Sequence, residues 1–165
     1  MKTAPVQIRP AAETDANALW RIMEPTIRQG ETYALPTGGT RQQAFDYWYA
    51  PGNTVFVADD GAEVVGTYYI RTNRQGGGDH VANCGYMTAP WASGRGVARA
   101  MCAHSLEHAK SLGYTAMQFN FVVSTNERAV RLWQSLGFAI VGRLPGAFRH
   151  PTLGMVDAFV MYRSL

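Results

Sequence analysis

The chain has 165 residues, of which 47% are apolar and 16% charged. A charge fraction below the usual value of roughly a quarter argues against a coiled coil, a solvated tail or a disordered segment, all of which need more charge. The net charge of +3 arises from 15 basic and 12 acidic residues with no basic stripe of the kind a nucleic-acid surface needs, so the balance suits a small anionic ligand gripped by a few arginines and backbone amides.

The length fits one domain over residues 1–165. Met1–Pro10 lacks the apolar stretch of a secretion signal, and no segment reaches the roughly 18 apolar residues of a membrane helix. The expected compartment is therefore the cytoplasm. Cys84 and Cys102 lie in apolar stretches, form no Cys-x-x-Cys pair, and read as small buried residues.

A first strand is predicted over Val6–Arg9, and Thr14 or Asp15 can cap a helix running to about Ile27. Its Ala18, Leu19, Ile22 and Met23 recur at helical spacing. A second helix covers about Thr40–Tyr49 and stops at Pro51-Gly52. Thr54–Asp59 and Glu63–Thr72 read as strands joined by an Asp60-Gly61 hairpin turn. After the Gly76-Gly77-Gly78 loop, His80–Thr88 reads as a strand. A long helix is predicted over Gly94–Leu112, with Val97, Ala100, Met101, His104, Ser105, His108 and Leu112 as its inner stripe, and Gly113 ends it. Ala116–Val123 reads as a strand, Glu127–Leu136 as a helix, and Ala139–Arg143 as a strand. A loop through Pro145, Gly146 and Pro151 leads to a last strand, Met155–Tyr162. Early hairpins followed by a strand–helix–strand crossover make the class mixed α/β.

The segment from Cys84 to Met101 carries the most chemistry. A strand ends at Pro90 and a glycine-bearing turn opens a helix, whose first amides lack intrahelical partners and face outward at the positive dipole end. Gly94 and Gly96 let that backbone approach a bulky anion, while Arg95 and Arg99 add charge. The direct reading is a phosphate or pyrophosphate site; the plainer alternative is a glycine turn that only redirects the chain. No Lys-Ser or Lys-Thr completes a P-loop, and Arg99 stands where a dinucleotide fingerprint needs its third glycine.

Ser93-Gly94-Arg95-Gly96-Val97-Ala98 resembles the Arg/Gln-x-x-Gly-x-Gly/Ala motif of the GCN5-related N-acetyltransferase family, matching at Gly96 and Ala98 with Ser93 at the basic position. Asn126, Ala129, Leu132, Trp133 and Leu136-Gly137-Phe138 resemble a later motif of the family, with Trp133 where tyrosine is usual. The resemblance spans essentially the whole chain. It implies a mixed α/β fold with a central, mostly antiparallel sheet of about seven strands, the fourth and fifth parallel and splayed, flanked by four helices. It also implies acetyl-CoA as cosubstrate, bound between strands that end at Thr88 and Val123. The backbone of Tyr86, Met87 and Thr88 would then meet the pantetheine and acetyl carbonyl, with the Thr88 N–H on the thioester oxygen. Ser93, Gly94, Arg95, Gly96, Val97, Ala98 and Arg99 would cradle the pyrophosphate. Asn126 and Trp133 would lie near the thiol arm. An indole N–H cannot protonate a thiolate, so no general acid is assigned; Ser124 reads as a helix cap.

Val81-Ala-Asn-Cys-Gly-Tyr86, Met117-Gln-Phe-Asn-Phe121 and Ser124-Thr-Asn126 are similar to segments of fungal N-acetyltransferases that act on proline analogues such as azetidine-2-carboxylate, with phosphinothricin-type acetyltransferases also near. That likeness implies Asn83 and Asn120 as substrate-binding amides; a structural asparagine satisfied by a loop carbonyl is the alternative for each. The attacking amine must lose a proton, and Glu31, between the first two helices, is the candidate general base, directly or through water, with His80 a weaker one. Tyr33, Phe45 and Trp48 are candidates for the acceptor wall. Phe148, His150 and Asp157 flank the last hairpin without an assigned role. His104-Ser-Leu-Glu-His108 has the spacing of an inverted zinc-protease motif, but packing on the inner helix stripe explains both histidines, and no metal is expected.

The expected activity is acetyl transfer from acetyl-CoA to a small-molecule amine, with an amino acid or proline-like analogue as the candidate acceptor, by direct attack in a ternary complex, without nucleic-acid or membrane partners; the resemblance favours a homodimer. The alternative from another class is a non-catalytic acyl-CoA-binding sensor.

Overall fold

The Asp60-Gly61 turn joins β2 (Thr54–Asp59) to β3 (Val64–Thr72) as the sequence predicts. Gly61 takes a left-handed φ of 91°, and Asp60 Oδ1 accepts from the Ala62 and Glu63 amides at 3.0 Å. The computed structural model describes residues 5–165. β1 (Gln7–Pro10) pairs antiparallel with β2, and β4 (Val81–Thr88) antiparallel with β3. The chain then crosses through α3 (Val97–Ser111) to β5 (Ala116–Val123), parallel to β4. β7 (Gly154–Ser164) pairs antiparallel with β5, and β6 (Ala139–His150) lies outermost, giving one sheet of 7 strands ordered β1-β2-β3-β4-β5-β7-β6.

Local chemistry sets the helix ends. α1 (Ala16–Gln29) stops at Gly30, which adopts φ 65°, a conformation that glycine enters without a Cβ clash. α2 (Arg41–Trp48) opens with a capping box, in which Thr40 Oγ1 accepts from the Gln43 amide at 3.2 Å and Gln43 Oε1 accepts from the Thr40 amide at 2.8 Å. α4 (Glu127–Ser135) is capped by Asn126, whose Oδ1 accepts from the Ala129 amide at 3.4 Å. The expected cap, Ser124, instead ties its amide to the Asp157 carbonyl of β7 at 2.9 Å.

Alternate residues of a strand face opposite sides, and the contacts divide accordingly. Trp48 of α2 meets Thr67 and Tyr69 on one face of β3. On the other face, His104 and Ser105 of α3 meet Tyr68 and Tyr86. The core between these layers includes Leu19, Ile22, Met23, Trp48, Tyr68, Ile70, Met101, Met117 and Met161, all essentially inaccessible. No helix among the described residues is long and apolar enough to cross a membrane.

Three departures have local causes. α3 begins at Val97 rather than Gly94, because Gly94 and Gly96 are left-handed at φ 82° and 79°. Its buried stripe runs through Val97, Met101, Cys102, Ser105, Leu106 and Ala109, while the expected member Leu112 is 57% exposed beyond the helix end. β6 continues through Pro145-Gly146 to His150, since register shifts between Ile140 and Gly142 and between Leu144 and Phe148 absorb residues that read as a loop.

Candidate active site

β4 and β5 pair only at Val81–Ala116 and Ala82–Met117. Beyond that point the strands part, and the Asn83 side chain replaces the ladder by donating Nδ2–H to the Gln118 carbonyl at 2.9 Å. The opening is a cavity of about 670 Å³ reaching from the loop before α2 to the turn before α3.

Register decides which backbone groups face it. The Asn73 amide bonds to the Val81 carbonyl and the Ala89 amide to the Val65 carbonyl, both at 2.8 Å. By antiparallel alternation, the odd-numbered residues of β4 turn their backbone to β3 and the even-numbered ones toward the gap. The backbones of Tyr86 and Thr88 therefore face the cavity, and the Tyr86 carbonyl accepts from the Tyr33 hydroxyl at 2.8 Å. Met87 departs from expectation: its backbone pairs with Thr67, so only its side-chain face borders the cavity.

At one end lies the glycine turn. Gly96 is the N-cap of α3 and brings no side chain to cap the helix, which leaves the amides of Val97, Ala98 and Arg99 directed outward under the positive end of the dipole. Ser93, Gly94, Gly96, Val97, Ala98 and Arg99 all line the cavity. Arg95 does not, since its guanidinium pairs with Asp60 at 2.7 Å and ties the turn to the β2–β3 hairpin. That contact, helped by the Glu63 and Ala62 amides, holds the Asp60 carboxyl down to about 2. The arginine that joins Arg99 at the cavity is Arg128 of α4, whose Nη1 donates to Ser93 Oγ at 2.8 Å. Arg128 is not legible from the turn's own sequence, because it reaches the turn only through the packing of α4 against it.

The middle of the cavity is aromatic. Trp133, 8% exposed, packs its ring 5.0 Å from Tyr86 and 5.2 Å from Phe119. The Tyr86 hydroxyl is within 2.7 Å of Ser105 Oγ, and burial pushes its pKa, like that of Tyr33, well above the ordinary phenol range. Burial also pushes the Cys84 thiol far up and Cys102 up to about 11; neither is a ready nucleophile. Asn126 lines the cavity while capping α4.

At the other end, Thr32, Tyr33, Ala34, Tyr47, Tyr69, Arg71, Asn83 and Asn120 form the wall. Asn120 sits in an amide chain, donating to Asn73 Oδ1 at 2.7 Å and accepting from Gln118 Nε2 at 2.9 Å. Gly85 makes room for the wall: a Cβ there would come within 2.6 Å of the Tyr69 ring. Several expected residues lie elsewhere. Glu31 and His80 are exposed and lie outside the cavity lining. Trp48 is core, bonded through Nε1 to Thr67 Oγ1 at 3.1 Å, and Phe45 stacks on Tyr49 with centroids 5.8 Å apart. No Asp, Glu or His is among the lining residues.

His104 and His108 stand apart from this site. The His104 Nδ1 is 2.7 Å from the Tyr68 hydroxyl, and the Phe56 ring packs 5.2 Å from His104 and 4.9 Å from His108. Burial, with His108 adding to it, lowers the His104 pKa.

The acetyltransferase (GNAT) family model matches residues 17–138. The chain belongs to this family. It is 42% identical to a GCN5-related N-acetyltransferase from Kribbella flavida, with a TM-score of 0.91 over 97% of this chain and 98% of that one. It is also 28% identical over 81% of its length to N-acetyltransferase aca1 of Schizosaccharomyces pombe, covering 72% of that protein. A phosphinothricin acetyltransferase from Sinorhizobium meliloti, solved in complex with AcCoA, shares the fold at 20% identity and a TM-score of 0.83, over 97% and 88% of the two chains. The protein is a GNAT N-acetyltransferase with acetyl-CoA as cosubstrate. The cavity fits that molecule: uncapped helix amides and two arginines suit phosphates, and cleft-facing strand backbone suits an amide-bearing arm.

Proposed function

We propose that the enzyme acetylates the amine of a small molecule, and that residues 1–165 act as one domain. The observation that carries this reading is the aromatic wall at the acceptor end. Tyr33 reaches across to the Tyr86 carbonyl, and Tyr47 and Tyr69 also line this end, an arrangement that favours a small acceptor over a polypeptide.

Acetyl-CoA supplies an activated acetyl thioester. The amides of Val97, Ala98 and Arg99, with the Arg99 and Arg128 guanidiniums, hold its phosphates. The cleft-facing amides of Tyr86 and Thr88 are the donors for the thioester oxygen, which gains negative charge as the amine attacks; one preorganised donor of this kind is worth about 3–4 kcal/mol. The amine attacks directly, since the buried cysteine thiols stay protonated. With no carboxylate or imidazole in the lining, the amine loses its proton to water. The departing thiolate needs no dedicated acid, because thiol pKa values near 8.5 make it a fair leaving group. Trp133 shapes the channel around the thiol arm.

An acceptor screen that follows free thiol release tests this reading. Acetylation of at least one small amine with saturable kinetics supports it; turnover on polypeptide N-termini alone defeats it.

We further propose a homodimer through the outer hairpin, supported by Val141, Leu153 and Met155, which are 60%, 62% and 60% exposed on β6, the β6–β7 turn and β7. Light scattering that gives a monomer mass at micromolar concentration rejects it.

A further inference from the structure

Arg71 lies on β3 directly opposite Asn83 of β4, and both side chains line the cavity. Its Nε is buried without a hydrogen-bond partner. The ion pairs among the described residues engage Arg9, Arg21, Arg28, Arg95, Lys110, Arg131 and Arg143, and none engages Arg71. Arg71 as a whole is half-buried, and a guanidinium, which is always charged, favours an opposite charge where part of it leaves water. The protein supplies none here, because no Asp or Glu lines the cavity.

The surroundings suit an anion. Tyr69 stands two residues before Arg71 on the same strand face, and its hydroxyl is 3.4 Å from the Tyr47 hydroxyl. Burial, reinforced by Tyr47, keeps Tyr69 protonated and therefore a donor, with Arg71 near enough to act in the opposite direction. The coenzyme phosphates do not reach this point, because Asn83 lies about 16 Å upstream of Thr88 at roughly 3.3 Å per residue. The amides that looked like the anion holders are already engaged, Asn83 with Gln118 and Asn120 with Asn73.

We infer that Arg71 is the anchor for a carboxylate carried by the acceptor, so that the substrates are amino acids with a free carboxylate, bound by a guanidinium flanked by the Tyr69 and Tyr47 hydroxyls. This rests on the small-amine reading and narrows it to a substrate class. The carboxylate on Arg71 orients the molecule with its amine toward the cleft-facing backbone of Tyr86, and it supplies the opposite charge that the half-buried guanidinium lacks.

The test compares matched acceptors: proline with prolinamide, azetidine-2-carboxylate with azetidine, and alanine with alaninamide, with rates referred to the free-amine concentration. The expected result is a kcat/KM preference for the acid of at least about 30-fold, in line with the effect of truncating one partner of a buried charge pair. Arg71→Gln abolishes that preference through KM, with the KM for acetyl-CoA and the melting temperature near wild type; Arg71→Lys retains part of it. Equal or better turnover of amides and decarboxylated amines overturns the inference while leaving small-amine acetylation intact. An unchanged acid preference in Arg71→Gln also overturns it. If no amine is acetylated, the functional reading fails, and calorimetry of the same carboxylates with the coenzyme A-loaded protein decides the site. Binding lost in Arg71→Gln supports the anchor, and no binding to wild type removes it.

Discussion

The Asn83 side-chain amide donates to the Gln118 carbonyl at 2.9 Å where the β4–β5 ladder ends. A parallel pair that opens after two registered positions leaves backbone carbonyls without ladder partners, and an unsatisfied buried carbonyl costs about 1–3 kcal/mol. Asn83 meets that need with a side chain short enough to end the ladder without prolonging it, so the strands diverge toward Thr88 and Val123.

Removing this stitch destabilises the sheet at the vertex of the cavity. Asn83→Ala is expected to lose about 1–3 kcal/mol, lowering the melting temperature by about 2–4 °C per kcal/mol for a chain of this size. Differential scanning calorimetry checks it. A melting temperature equal to wild type shows that the amide is not needed to hold the strands together.

Arg95 and Arg128 exchange the roles that sequence proximity suggests. Arg95 pairs with Asp60, whereas Arg128 reaches Ser93 and lines the cavity. Arg128→Ala is expected to raise the acetyl-CoA KM about tenfold and flatten its salt dependence, while Arg95→Ala stays within about threefold, a screened exposed pair contributing little. Steady-state kinetics at two salt concentrations separates them. The reverse ranking returns Arg95 to the phosphate site.

The same pair sets an acid response. Asp60 is held down to about 2, chiefly by Arg95, so its folded value is below its unfolded value. Such a group adds stability that is fully present above the ordinary carboxylate value and is lost as pH falls through the folded value. Wild type and Asp60→Asn should therefore differ in stability at pH 5 and converge near pH 2. Denaturant unfolding at both values checks this; a gap that persists at pH 2 assigns the difference to something other than ionisation.

Trp133 packs between Tyr86 and Phe119 and donates no proton. Trp133→Tyr is expected to leave kcat within about threefold, because the thiolate leaves without an acid at its ordinary pKa near 8.5. A rise beyond tenfold in steady-state kcat means that thiolate protonation limits turnover and that a hydroxyl at this position supplies it.

Proton removal by water has its own signature. Glu31 is exposed and outside the cavity, so Glu31→Gln should match wild type across the pH–rate profile, with kcat/KM rising until the acceptor amine is itself deprotonated. A plateau at lower pH that disappears in Glu31→Gln identifies the carboxylate as the base.

Much of the fold was legible because its signals are local: the Asp60-Gly61 turn, the helix that opens near Thr40, and Gly113 as the stop after the long helix. The glycine turn was legible for the same reason, since Gly94 and Gly96 adopt the left-handed backbone that motif reading requires of them. Pro145 and Gly146 misled because a bulged outer strand admits residues that normally break strands. Within the site, Arg71 and Arg128 were invisible, since an arginine on a strand or helix reads as solvated until the fold shows what faces it. Glu31 shows the converse, an exposed side chain outside the cavity lining. The same loop between two helices carries Tyr33 in the cavity wall and Glu31 exposed to solvent, a difference that position along the sequence does not reveal.

The central claim is acetyl transfer to a small amine in a ternary complex. Its most direct test is an acceptor screen with acetyl-CoA, reading free thiol release and N-acetylated product together. The account predicts amine-dependent, saturable thiol release matched one-to-one by product, with both substrates bound before either product leaves. Acetyl-CoA binding without amine-dependent thiol release for any acceptor, or ping-pong kinetics with an acetylated protein, contradicts it.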